Sequence, residues 1–156
     1  MNVHKKILCF FENTNPTKKE TDIALLAVRI AVGLFFVSFG YGKLFGAPGL
    51  EGFTGMLTAN GFPMPGVFAL LVGIAEFFGG IAILLGVFTR FSAFWLTVIT
   101  AVAWATIKGF SFGFQAEGNI DLLALGLTIA LLSMGPGAIS LSAHMKKDSA
   151  AGGQQM

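Results

Sequence analysis

VFALLVGIAEFFGGIAILLGV, Val67 to Val87, is apolar from end to end except for one charge, Glu76. As a helix rising about 1.5 Å per residue, this stretch covers the roughly 30 Å hydrocarbon core of a bilayer. A carboxylate at mid-depth costs roughly 2.5–3.5 kcal/mol on insertion scales, so Glu76 is expected to have a partner or a task. The other ionisable side chain set well inside an apolar segment is Arg29.

The rest of the chain reads the same way. Only 12% of its residues are charged, where soluble domains average about 25%, and the mean hydropathy is +0.77. Seventeen Phe and 21 Gly fit membrane helices better than a soluble core. The formal charge of +2 comes with basic residues in small end clusters and no basic stripe, which excludes nucleic acid as a partner. A single cysteine, Cys9, rules out an internal disulfide and a CxxC pair. His4 and His144 lie outside the apolar segments, so no His pair is placed to ligate a haem, and no set of residues has zinc spacing. There is no phosphate-binding loop and no nucleophile elbow. No metal site and no catalytic residue is assigned.

Four apolar segments predict an all-α, integral membrane four-helix bundle. They are Ile23–Phe45, Val67–Val87, Phe91–Ile107 and a fourth built on Asp121–Met134, extended to about 120–139. The first follows a 22-residue arm with four lysines and is too long for a signal peptide, so it is read as a retained helix. Phe88-Thr89-Arg90 leaves room only for a tight antiparallel hairpin. In the Gly- and Pro-rich loop Gly46–Gly66, Phe53, Met56 and Leu57 have helical spacing and predict a short amphipathic helix on the membrane surface. Basic residues set the orientation. Lys5, Lys6, Lys18, Lys19, Arg90, Lys146 and Lys147 outnumber Lys43 and Lys108, which places both termini in the cytoplasm. Residues 1–22 are then a cytoplasmic arm and residues 142–156 a disordered cytoplasmic tail.

Depth arithmetic pairs Arg29 with Glu76: from the cytoplasmic face they lie about 9 Å and about 16 Å in. That pair is either a lock within the bundle or a site for a polar ligand head or a proton. The Gly79–Gly80 doublet, one turn beyond Glu76, leaves space for another helix or for a planar ring. Ala75 with Gly79, Ser38 with Gly42 and Gly126 with Ala130 have the four-residue spacing that lets helices approach. A second polar group at the opposite face comprises Lys43, Lys108, Glu117, Asn119 and Asp121, with Tyr41 nearby. Asp121 also suits the N-terminus of the fourth helix.

These motifs are RIAVGLFFVSFGYGKLF from Arg29, the loop ending GFPMP, LVGIAEFFGGIAILLGVFTR, and GPGAISL at Gly135–Leu141. In this order they resemble the DoxX family of small four-helix bacterial membrane proteins, over roughly Ala27 to Leu141. Helix 4 opens with an acidic residue in that family, a place that Glu117 or Asp121 would fill. The family takes its name from a subunit of a thiosulfate:quinone oxidoreductase. The resemblance therefore implies a partner of thiol-, superoxide- or quinone-handling systems in the bacterial cytoplasmic membrane. With one cysteine and no metal set, any redox role needs a bound quinone or a partner protein. The expectation is a multi-pass, quinone-interacting subunit with Arg29, Glu76, Gly79, Gly80, Lys43 and Asp121 as candidate ligand-binding residues. Its alternatives are a non-catalytic scaffold with a purely structural ion pair, and a proton-coupled carrier that would need a homo-oligomer.

Overall fold

Thr17 starts the first helix. Its hydroxyl accepts from the Glu20 amide at 3.3 Å while the Glu20 carboxylate accepts from the Thr17 amide at 2.8 Å, a reciprocal capping box. The structure is a computed structural model and describes residues 16–111 and 118–152. Lys5, Lys6, Cys9, His4 and Glu117, singled out from the sequence, lie outside the described residues. Among those described, six helices and no strand occur: α1 Lys18–Phe45, α2 Gly49–Ala59, α3 Pro65–Leu85, α4 Thr89–Thr106, α5 Gly118–Met134 and α6 Leu141–Gly152.

Local chemistry sets the boundaries. α1 begins five residues before the apolar run because the capping box lies upstream of it. Pro65 opens α3, where its missing N–H costs nothing. Gly86, at φ 72°, stops α3, and the Val87 amide returns to Ala82 O at 3.0 Å. The hairpin turn is thus Gly86–Phe88, and Thr89 and Arg90 already belong to α4. The amphipathic helix expected in the first loop is α2, which buries Leu57. The stretch from residue 142, expected as an unstructured tail, continues α6 to Gly152.

α1 packs on α3, α4 packs chiefly on α5, and α2 lies against both α1 and α3. Glycines bring α1 and α3 together. A Cβ on Gly40 would overlap the Phe77 backbone, and one on Gly80 would sit 2.8 Å from Gly33 O and Val37 N. Gly33 faces Leu84, Val37 faces Gly80, Gly40 faces Phe77 and Leu44 faces Gly73. Each step along α1 therefore matches one step back along α3. The four-residue spacings read from the sequence do not mark this contact: a Cβ on Gly42 or Gly126 would meet open space.

The shared core is Leu25, Val32 and Phe36 of α1, Ile83 of α3, Ala93 and Leu96 of α4, and Ala124 and Leu131 of α5. α1 and α3 are long and apolar enough to cross a membrane, while α5 is a shorter apolar helix. Of the most apolar window, only 33% in α1 and 28% in α3 is buried within the structure, where the core helix of a water-soluble protein would be mostly covered. Leu34, Phe39, Phe78 and Leu85 stand about half or more exposed. Such continuous apolar surface calls for a non-aqueous surrounding.

Candidate functional site: a phenylalanine-lined cavity with one charged end

Because α4 leans toward α5, a cavity of about 1160 Å³ opens between α3 and α4 and reaches α1 and α2. Nine phenylalanines line it, among them Phe35, Phe36 and Phe39 from α1, Phe53 from α2 and Phe78 from α3, together with Trp95 of α4. Its polar lining is sparse: Ser92 and Thr100 partway along α4, and Lys43, Glu76, Lys108 and Asp121 toward the end where α1 and α4 finish and α5 begins.

At that end Lys43 Nζ donates to Glu76 Oε2. Both side chains are largely buried, 17% and 8% exposed, so the charges offset each other away from water. The ammonium also stands 4.9 Å from the Phe53 ring centre and 5.5 Å from that of Phe39, close enough for cation–π attraction. Asp121, in the first turn of α5, feels the charges of Lys108 and Lys43, and Glu76 feels that of Asp121. The formal charges of these four side chains sum to zero. Tyr41 takes no part and is exposed. Among the described residues, no group of three or more His, Cys, Asp or Glu is placed to hold a metal ion.

Arg29 is elsewhere. In the α1–α3 register the residue level with Glu76 is Tyr41, twelve positions from Arg29 and about 18 Å away along the axis. The expected pairing fails because the two helices are not level: α1 begins well before the end of α3, so Arg29 sits at the C-terminus of α3. There the buried guanidinium donates to four main-chain carbonyls. Nε reaches Ile83 O at 2.9 Å and Nη2 reaches Leu84 O at 2.8 Å. Nη1 reaches Pro136 O at 3.0 Å and Ile139 O at 2.6 Å. The first two are carbonyls of the last turn of α3, at the negative end of the helix dipole, and Ile83 O also accepts from the Gly86 amide at 3.1 Å. The loop between α5 and α6 is held further by Asp22, which accepts from the Ala138 amide at 2.8 Å, and the last turn of α5 by Arg90, which donates to Ser133 O at 3.2 Å. A Cβ on Gly86 would strike the guanidinium and Ser140. The Arg, Thr-Arg, Gly-Pro-Gly and Ser-Leu motifs therefore converge on a latch, not on the cavity.

The glycine doublet divides likewise. Gly79 lines the cavity, and a Cβ there would meet Leu96 at an ordinary 3.4 Å. Gly80 is spent on the contact with α1. Of the candidate site residues, Glu76, Gly79, Lys43 and Asp121 share the cavity, whereas Arg29 and Gly80 serve packing. Ser92 and Thr100 are absent from the residues that the sequence marks, and Phe53 is marked there only as part of the surface helix. The helical spacing of Ser92 and Thr100, two turns apart on one face, was the available signal.

The DoxX family model matches residues 24–109, more than half of the chain. The chain belongs to the DoxX family. The DoxX match includes Arg29, Lys43, Glu76 and Lys108 and ends before Asp121. Two proteins of Escherichia coli (strain K12) are similar to this DoxX chain. Inner membrane protein YqjF is 31% identical over 132 residues, covering 83% of this chain and 98% of YqjF. Inner membrane protein YphA is 34% identical over 128 residues, covering 76% of this chain and 88% of YphA. No solved structure matches the chain.

Proposed function

We propose that this DoxX-family chain is a multi-pass protein of the bacterial inner membrane, a four-helix bundle with both termini on the cytoplasmic side. In this reading it holds a quinone-like ring in the α3–α4 cavity, as the membrane component of a small redox system. The location is supported by the exposed apolar surface of α1 and α3, the excess of lysine and arginine on the terminal side, and the naming of the two relatives as inner membrane proteins.

One observation carries the ligand assignment: an aromatic cavity large enough for a ring and a chain, apolar except for Ser92, Thr100 and one charged end. A quinone fits the groups present. Aromatic walls stack on its ring, the Lys43 ammonium and the hydroxyls of Ser92 and Thr100 donate to its carbonyl oxygens, and the Glu76 carboxylate accepts from a hydroxyl of the reduced form. The quinone would supply the two-electron chemistry. The chain would bind and orient it and keep water away, with electrons and substrate coming from a partner protein, since Cys9 alone gives no dithiol.

Native mass spectrometry with lipid extraction, on the full chain in mild detergent and on Glu76→Gln, tests this. A quinone retained by the natural chain and lost from the variant is the expected result. If neither carries a quinone and added quinone is not retained, the ligand assignment is wrong. A second reading, a non-catalytic membrane partner protein, is favoured by Arg29, whose hydrogen bonds serve only the fold. In that reading Glu76→Gln lowers thermal stability and changes no binding.

A further inference from the structure

The cavity has a shape and a charge balance that say more about its ligand. Its lining on α4 runs from Phe91 to Ile107 and Lys108, so it extends about 24 Å along the helix axis, far longer than a ring. It is also open on its flank. Phe78 of α3 and Trp95 of α4 line it partway along and are nevertheless 60% and 48% exposed, so the gap between them forms a sideways mouth between the two helices. The polar end is already neutral: Lys43 is paired with Glu76, and Asp121 feels both Lys108 and Lys43. A charged head arriving there meets like and opposite charges in equal number, so it gains no net attraction to offset the loss of its own hydration. A head with no net charge that both accepts and donates hydrogen bonds meets Lys43 and Glu76 together.

Building on the ring-binding reading, we infer that the ligand is a membrane-dissolved amphiphile with an uncharged, doubly hydrogen-bonding head and one long apolar tail. It enters sideways between Phe78 and Trp95, with its head at Lys43–Glu76 and its tail along the α3–α4 cleft. Anionic phospholipid heads are excluded.

Tryptophan fluorescence reads this directly, because Trp95 lines the cavity whereas Trp104 packs on Phe110 at 5.1 Å and donates to Ser111 O. The full chain carrying Trp104→Phe is placed in vesicles of uncharged lipid and titrated with a benzoquinone bearing a methyl or a decyl tail. Saturable quenching of Trp95 is expected, with an apparent Kd for the decyl form, on total concentration, lower by about tenfold or more because the bilayer concentrates it. Decyl phosphate in about tenfold excess should not displace it. Equal apparent affinity for the two tails leaves the ring site standing and overturns access from the membrane. Displacement by decyl phosphate overturns the uncharged head. No saturable quenching by either quinone removes the ring site and this inference with it. Native mass spectrometry of the unmodified chain with the same two quinones repeats the comparison without relying on the variant's folding.

Discussion

Lys43 of α1 reaches across to Glu76 of α3 beneath the Phe53 ring of α2, so one ammonium ties three helices together at the polar end of the cavity. A lone buried charge costs far more than the pair, which makes the two residues interdependent.

That interdependence is measurable. In a double-mutant cycle of Lys43→Met and Glu76→Gln, read by thermal or denaturant unfolding in detergent, the coupling should lie between about 0.5 and 3 kcal/mol. The cycle of Arg29→Met with Glu76→Gln should be additive within about 0.5 kcal/mol, since the two groups share no contact. Strong coupling of Arg29 to Glu76 would contradict the observed register.

Arg29→Ala removes all four hydrogen bonds of the latch and leaves buried carbonyls unmet. Each unmet group costs about 1–3 kcal/mol, so a loss of roughly 3 kcal/mol or more is expected as a lowered Tm. Arg29→Lys should recover only part of it, because an ammonium cannot span carbonyls on both the α3 terminus and the α5–α6 loop as the guanidinium fork does.

The two neighbouring glycines separate packing from binding. Gly80→Ala forces a Cβ against the α1 backbone and should cost about 1–3 kcal/mol. Gly79→Ala meets only the Leu96 side chain at 3.4 Å and should change the unfolding free energy by less than about 0.5 kcal/mol. Gly79→Leu extends into the cavity and should abolish quinone retention. Equal destabilisation by the two alanine variants would mean that both glycines face a helix.

Glu20 stands outside the apolar part of α1. Hydrogen bonds from the Thr17 amide and hydroxyl hold its carboxyl below the ordinary glutamate value. A depressed folded-state value means that the capping box contributes above the unfolded value and is lost as pH falls through the folded one. An NMR titration should show a lowered midpoint for Glu20 that moves partway back up in Thr17→Ala, which removes the hydroxyl and keeps the backbone amide. No movement would detach the shift from the Thr17 hydroxyl.

Much of the architecture was legible because it depends on local composition. The apolar segments matched four helices to within a few residues, except that α1 starts earlier at its capping box and α5 ends at Met134. The short helix in the first loop followed from the spacing of Phe53, Met56 and Leu57. The register between α1 and α3 was not legible. It is set by Gly33, Gly40 and Gly80 meeting backbone to backbone, and glycine is frequent enough here that no spacing singles these three out. With the two helices level, Arg29 falls near Glu76 and Lys43 belongs to the opposite face. The true partner of Glu76 lay in the second polar cluster, and only tertiary structure joins the two. The latch was visible as motifs far apart in sequence, but nothing in them says that they meet.

The latch also bears on how the chain is made. Two of the four acceptors of Arg29 belong to Ile83 and Leu84, and the other two, Pro136 and Ile139, follow it by 107 and 110 residues. During synthesis the guanidinium is delivered with the first helix, yet half of its hydrogen bonds cannot form until the end of α5 has left the ribosome. Closure of the bundle around Arg29 is therefore a late event in biogenesis, and a nascent chain stopped before Gly135 carries an arginine whose shell is half complete.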